Sequence, residues 1–178
     1  MNIDGKLKSK LLPFVLTIVI IVLDQITKML IVRYVPEGTI GSSLLGDFLR
    51  ITHIRNPGAA FGVGAGWSLV TRRVVFSVLP LICLVAVIVF MCKSEDLGKL
   101  LRWCIAGIVG GGMGNVIDRV FRPHGVVDFI DIKFFGIFGY DRWPTFNIAD
   151  SAVVVCAVIL IVYYIYISIK EAKSKKSK

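Results

Sequence analysis

Residues 114–150 read GNVIDRVFRPHGVVDFIDIKFFGIFGYDRWPTFNIAD. Two of the acids in this stretch stand in apolar company. Asp128 lies within Val126-Val127-Asp128-Phe129, and Asp150 closes Phe146-Asn147-Ile148-Ala149-Asp150. Asp150 also opens the last long hydrophobic run of the chain. An acid at the start of a membrane span is costly to place, so it normally carries a function or has a partner. Two such acids that meet across a loop suit paired-carboxylate chemistry. Whether they can meet depends on how the rest of the chain crosses the bilayer.

The 178 residues are 56% hydrophobic and 19% charged, with a mean hydropathy of +0.78. A soluble domain of this length would be far more polar. The composition indicates a single integral membrane domain, 1–178, with no second domain or repeat. The net charge of +9 does not point to nucleic acid. The charges collect at the ends of apolar runs, where they set orientation, and no basic helix with interleaved aromatics is present. Cys83, Cys92, Cys104 and Cys156 lie in or beside apolar runs without C-x-x-C or zinc spacing. They read as small core hydrophobes, not as disulfides.

Four runs are long enough to cross a bilayer, at about 11–32, 74–92, 100–117 and 149–169. The expected fold is an all-α membrane protein, a bundle of four transmembrane helices. The first run follows Lys6, Lys8 and Lys10. It is too long for a cleaved signal peptide and lacks an Ala-x-Ala-like end. It holds Asp24 and Lys28, four apart and therefore on one helix face. They read as an ion pair that lowers the cost of both charges, or as hydrogen-bonded support beneath a site; the two readings are compatible. Pro80 is expected to kink the second span, which membrane helices tolerate. In the third, Gly107-x-x-x-Gly111 and Gly110-x-x-x-Gly114 signal close helix packing. Asn115, Asp118 and Arg119 gather at its far end, where the last two mark either the interface or a site. Tyr163, Tyr164 and Tyr166 sit near the end of the fourth span like an aromatic belt.

The connection 33–73 is long. Phe48 to Arg55 alternates loosely and suits a strand. Arg55-Asn56-Pro57-Gly58-Ala59-Ala60-Phe61-Gly62-Val63-Gly64 follows. It lacks the strand, G-x-G-x-x-G and helix of a nucleotide loop. Its small residues let the backbone lie flat against a neighbour or ligand, and Asn56-Pro57 reads by default as a turn.

Four spans put both termini on one side. The termini and the short 93–99 turn are rich in Lys and Arg, which makes that side cytoplasmic. Arg72 and Arg73, at the outer end of the second span, go against this rule but are outnumbered. Asp24, Lys28, Asn115, Asp118 and Asp150 then all fall in the outer leaflet. Interface anchors would be scattered over both faces; a one-sided cluster points to a site near the extracytoplasmic surface.

No Ser, Cys or Lys stands in a nucleophile–base arrangement. His53 and His124 lie outside the embedded segments, as solvated or hydrogen-bonded loop residues. No ligand spacing or H-E-x-x-H is present, so neither metal nor cofactor is expected. Carboxylates remain: Asp118, Asp128, Asp131, Asp141 and Asp150. Arg119 is adjacent to Asp118 and expected to neutralise it, and Asp131 and Asp141 lie among loop residues. Asp128 and Asp150, with apolar flanks, are the expected pair. Facing carboxylates share a proton; one draws a proton from water while the other donates to a scissile carbonyl, worth on the order of 10²–10⁴-fold. A proton-coupled transporter also uses embedded acids, but its repeats or broken helices are not evident. A packing subunit, with the acids as interhelical bonds, is the third reading.

Asp24-Gln25-Ile26-Thr27-Lys28, Asn56-Pro57-Gly58-Ala59-Ala60-Phe61-Gly62, Gly114-Asn115-Val116-Ile117-Asp118-Arg119, Val127-Asp128-Phe129 and Phe146-Asn147-Ile148-Ala149-Asp150-Ser151 come in this order. Their order and spacing resemble the bacterial lipoprotein signal peptidase (signal peptidase II) family over nearly the whole chain. The resemblance implies an aspartic peptidase of the bacterial inner membrane. Such an enzyme removes signal peptides from prolipoproteins, cutting before a cysteine that carries diacylglycerol. It gives Asp128 and Asp150 the catalytic roles. It assigns Asn56, Asn115, Arg119 and Asn147 to substrate or to the inhibitor globomycin, and Asp24, Lys28 and Asp118 to support. It also implies a small extracytoplasmic β cradle in the first outer loop, membrane lipid as surroundings, and a monomer. Phe134 to Trp143 matches no motif.

Overall fold

The computed structural model describes residues 3–58, 63–64, 66–122 and 124–176. Ala59 to Gly62, part of the stretch expected to lie flat, are outside the described residues, as is Lys178 of the basic tail.

Among the described residues, four helices are long and apolar enough to cross a membrane: Leu7–Tyr34, Leu69–Lys93, Lys99–Phe121 and Ile148–Ser174. Each overruns the apolar stretch that announces it, because helical hydrogen bonding continues into polar turns at the interface. The first is built from α1 (Ile3–Leu11) and α2 (Phe14–Tyr34), separated at Leu12-Pro13, where proline has no N–H to continue the ladder. The second comprises α3 (Leu69–Arg73), a π turn over Val74–Val78 and α4 (Leu79–Lys93). The irregularity expected at Pro80 thus takes the form of a widened turn just before it. The Leu79 N–H reaches back five residues to the Val74 carbonyl, next to the missing donor of Pro80.

α5 (Lys99–Phe121) is the central helix. It packs against α2, α4 and α6 (Ile148–Lys176), and its glycines allow this. A Cβ on Gly110 would press on Thr17 and Ile20 of α2; one on Gly107 or Gly111 would strike Cys156 or the Ala149 carbonyl of α6. The Thr17 hydroxyl donates to the Ala106 carbonyl at 2.7 Å. Outward faces are apolar, with Val154, Ile161 and Val162 exposed, as a lipid-facing surface requires. Cys104 and Cys156 are buried, but Cys83 and Cys92 are exposed on α4, so only two of the four cysteines fill the core.

β1 (Ile40–Leu44), β2 (Leu49–Asn56) and β3 (Val126–Ile132) form an antiparallel sheet in that order. The small sheet expected beside the helical bundle is present, but it is not confined to the first long connection. Its third strand comes from the connection between α5 and α6, where β-branched residues favour extended backbone. Ile54 pairs with Asp128, and Asn56 with Val126. Val127 and Phe129 pack on Ile31 and Val35 at the end of α2, which fixes the sheet to the bundle. Phe134 to Trp143 folds back on itself. Lys133 bridges to Arg142, a 3-10 turn spans Ile137–Gly139, and the Phe134 and Trp143 rings lie 4.9 Å apart.

At the opposite end of the bundle, Lys10 pairs with Glu95 at 3.2 Å. There the buried Arg102 donates to the carbonyls of Met91, Ser94 and Leu97, satisfying the acceptors left free at the end of α4.

Candidate active site

Asp150 occupies the first turn of α6. Asn147 caps that helix: its Oδ1 accepts the Asp150 N–H at 3.0 Å, and Asp150 Oδ2 accepts the Asn147 N–H at 3.2 Å. This is a reciprocal capping box, at a helix end that favours negative charge. The other carboxylate oxygen accepts from Asn115 Nδ2 at 2.7 Å. Local helix chemistry therefore fixes one carboxylate.

Strand alternation fixes the other. Val126 and Asp128 turn to one side of β3, and Val127, Phe129 and Asp131 to the other. Asp128 Oδ1 accepts from Asn147 Nδ2 at 2.7 Å, and Oδ2 from Asn56 Nδ2 at 3.0 Å. Asn56 also closes a turn, its Oδ1 accepting the Gly58 N–H at 3.1 Å, so the turn and the carboxylate contact are made by one side chain. Burial pushes the Asp128 carboxyl up to about 6. The Asn56 amide opposes that rise, the charge of Asp150 adds to it, and Asn147 and Lys28 oppose it.

Asn147 thus touches both acids, and both line one cavity of about 610 Å³. Its wall includes Asn56, Asn115, Arg119, the Trp143–Phe146 segment and Val153 to Val155. Phe146 pairs with Ile130, which carries the chain from β3 to the cap of α6.

Beneath the carboxylates lies a buried polar network. The Lys28 ammonium donates to Asp24 at 2.8 Å, Asp118 at 3.1 Å and Asn115 at 2.9 Å. Three donors meet three acceptors, which burial of a charge demands. Asp24 Oδ1 accepts the Ala149 N–H at 3.0 Å, and Asp118 Oδ2 the Val127 N–H at 3.1 Å. One carboxylate holds the start of α6 and the other holds β3. The expected Asp24–Lys28 ion pair is present.

Asp118 is neutralised by Lys28 and by Arg122 at 2.9 Å, not by Arg119. Arg119 turns the other way and donates to the Gly58 carbonyl at 3.2 Å. The spacing of Asp118 and Arg122, four apart on a helix, carried that signal. Gln25, which bonds Asp24, the Gly114 carbonyl and Asp118, went unread as well. Asp131 pairs with Arg142 at 2.7 Å, and Asp141 is exposed; neither lines the cavity. His53 belongs to β2, not a loop, and is buried with Nδ1 at 2.8 Å from the Val35 carbonyl.

Two carboxylates in unlike surroundings, sharing a cavity and an amide bridge, can share one proton between them. Residues 16–166 match the family described as signal peptidase (SPase) II. The chain is 46% identical over 158 residues to the lipoprotein signal peptidase of Treponema pallidum, covering 89% of this chain and 85% of that one. It is 47% identical over 170 residues to that of Treponema denticola, covering 96% and 98%. A solved bacterial membrane enzyme structure superposes with a TM-score of 0.71 at 32% identity, over 86% of this chain and 87% of the other. The transporter and packing-subunit readings fall with these matches. The chain belongs to the signal peptidase II family and is an aspartic peptidase.

Proposed function

We propose that this protein removes signal peptides from prolipoproteins whose cysteine already carries diacylglycerol, cutting before that cysteine with Asp128 and Asp150 as the catalytic pair. The observation that carries this reading is the shared cavity, into which both carboxylates open with Asn147 between them. Asp128, a buried acid, holds the shared proton. Asp150 takes a proton from a water, whose oxygen attacks the scissile carbonyl carbon, and Asp128 gives its proton to the carbonyl oxygen. As the tetrahedral intermediate collapses, one of its hydroxyls returns a proton to Asp128 and re-forms the C=O, the C–N bond breaks, and the proton on Asp150 passes to the leaving amine. Asn115 and Asn147 hold the carboxylates in register, while Asn56 and Arg119 are placed to meet the substrate backbone. The inhibitor globomycin would occupy the same cavity.

The sidedness follows from charge. Lys10 and the 93–99 turn share the end of the bundle opposite the carboxylates, and the excess of Lys and Arg there makes it cytoplasmic. The acids then lie near the extracytoplasmic face of the inner membrane, where water meets a lipid-held substrate. Asp128→Asn and Asp150→Asn should each lower cleavage of a lipid-modified precursor by at least about 10²-fold with the melting temperature retained. Full activity of either purified variant in detergent would overturn the pair.

A further inference from the structure

Arg72 and Arg73 go against the charge rule at the outer end of the second span, and proteolysis gives them no role. They stand on α3 beside a second cavity, of about 120 Å³, which Arg119 and Arg122 reach from the end of α5. Like charges around a space of several waters repel one another unless an anion sits among them. Asp128 and Asp150 attract Arg119 from the neighbouring cavity, but no acid pairs with Arg72 or Arg73 among the described residues. Asp118 and Asp24 are balanced by Lys28 and Arg122. Among the described residues, Arg72, Arg73 and Arg119 have no ion-pair partner, and the buried Nε atoms of Arg72 and Arg119 have no hydrogen-bond acceptor. An orphaned buried donor is costly, and guanidinium forks match the oxygens of a phosphate. Part of the cavity lining is apolar and exposed: Leu69, Val120 and Phe121. The anion that fits therefore arrives attached to hydrocarbon.

We propose that this cavity binds the phosphate of an anionic phospholipid, with Arg72, Arg73 and Arg122 on the headgroup and the acyl chains along Leu69, Val120 and Phe121. Arg119 lines this cavity and the one that holds the carboxylates, so an occupied lipid site also orders the wall of the other. The proposal rests on the membrane placement and not on proteolysis, so lipid binding and cleavage can fail separately.

The test is lipid retention by the full chain in detergent, read by native mass spectrometry with phosphatidylglycerol and phosphatidylcholine in competition. An arginine near an anionic headgroup contributes about fivefold. The parent should prefer phosphatidylglycerol, and Arg72→Gln with Arg73→Gln should reduce that preference about 30-fold without lowering the melting temperature. If the double variant does not fold, the exposed Arg73 replaced alone by Gln should still lose about fivefold. Equal retention of the two lipids, or an unchanged preference in the folded variant, overturns the proposal. Displacement of phosphatidylglycerol by equimolar inorganic phosphate overturns it too, by making this a free-phosphate site.

Discussion

Replacing Lys28 by Met keeps a long apolar stem in place and removes the ammonium. Asp24 and Asp118, both fully buried, then lose a cation at 2.8 and 3.1 Å. Arg122 still answers Asp118, so one carboxylate is left uncompensated. Breaking a buried pair from one side costs about 3–5 kcal/mol. In a chain of this length that corresponds to a loss of about 6–20 °C in melting temperature, measured in detergent by tryptophan fluorescence. Activity should fall as well, because Asn115 loses its 2.9 Å donor and it is Asn115 that holds Asp150. The physics also specifies a rescue. Adding Asp24→Asn to Lys28→Met removes the stranded charge and should restore about 1–3 kcal/mol relative to the single variant, the size of a direct coupling. A Lys28→Met protein that melts within 2 °C of the parent, by the order of magnitude above, would refute the reasoning. So would a double variant less stable than the single one.

The Asp128 carboxyl is raised from 3.8 to about 6, so the folded protein keeps a proton there that the unfolded chain releases near 4. The stability this contributes is complete below about pH 4 and is lost as pH climbs through 6. For cleavage the same proton serves the general acid, so kcat/KM should fall above about pH 6. Asn56→Ala, which removes a bond favouring the ionised form, should move that limb upward in a pH–rate profile. Gly111→Ala drives a methyl into the Ala149 carbonyl and to 2.8 Å from Val153; it should cost about 1–3 kcal/mol and depress cleavage by displacing the start of α6. Gly112→Ala meets only the movable end of Leu84 at 2.8 Å and should melt closer to the parent in the same assay.

Much of this protein could be read along the chain. Apolar length alone announced four spans, because a bilayer sets one minimum length for any helix that crosses it. Asp150 was legible as an acid opening an apolar run, whereas Asn147 came only through the resemblance, although its cap is local, with its parts within one turn. The third strand was not, because Val126 to Ile132 becomes a strand only by pairing with Leu49 to Asn56, some seventy residues earlier. Nor was the partner of Asp118, since adjacency in sequence points consecutive helical side chains to different faces. Nor was the work of Gln25, whose partners lie on another helix.

The sequence by itself determined the membrane architecture and the family, because hydrophobic length, glycine spacing and ordered motifs are properties of the chain in one dimension. Only the tertiary structure decided that a strand and a helix cap within one connection bring Asp128 and Asp150 to one cavity. It alone decided that a single asparagine touches both acids and that four arginines surround a second cavity. Burial and charge balance are sums over neighbours in space, and the chain acquires those neighbours only when it folds.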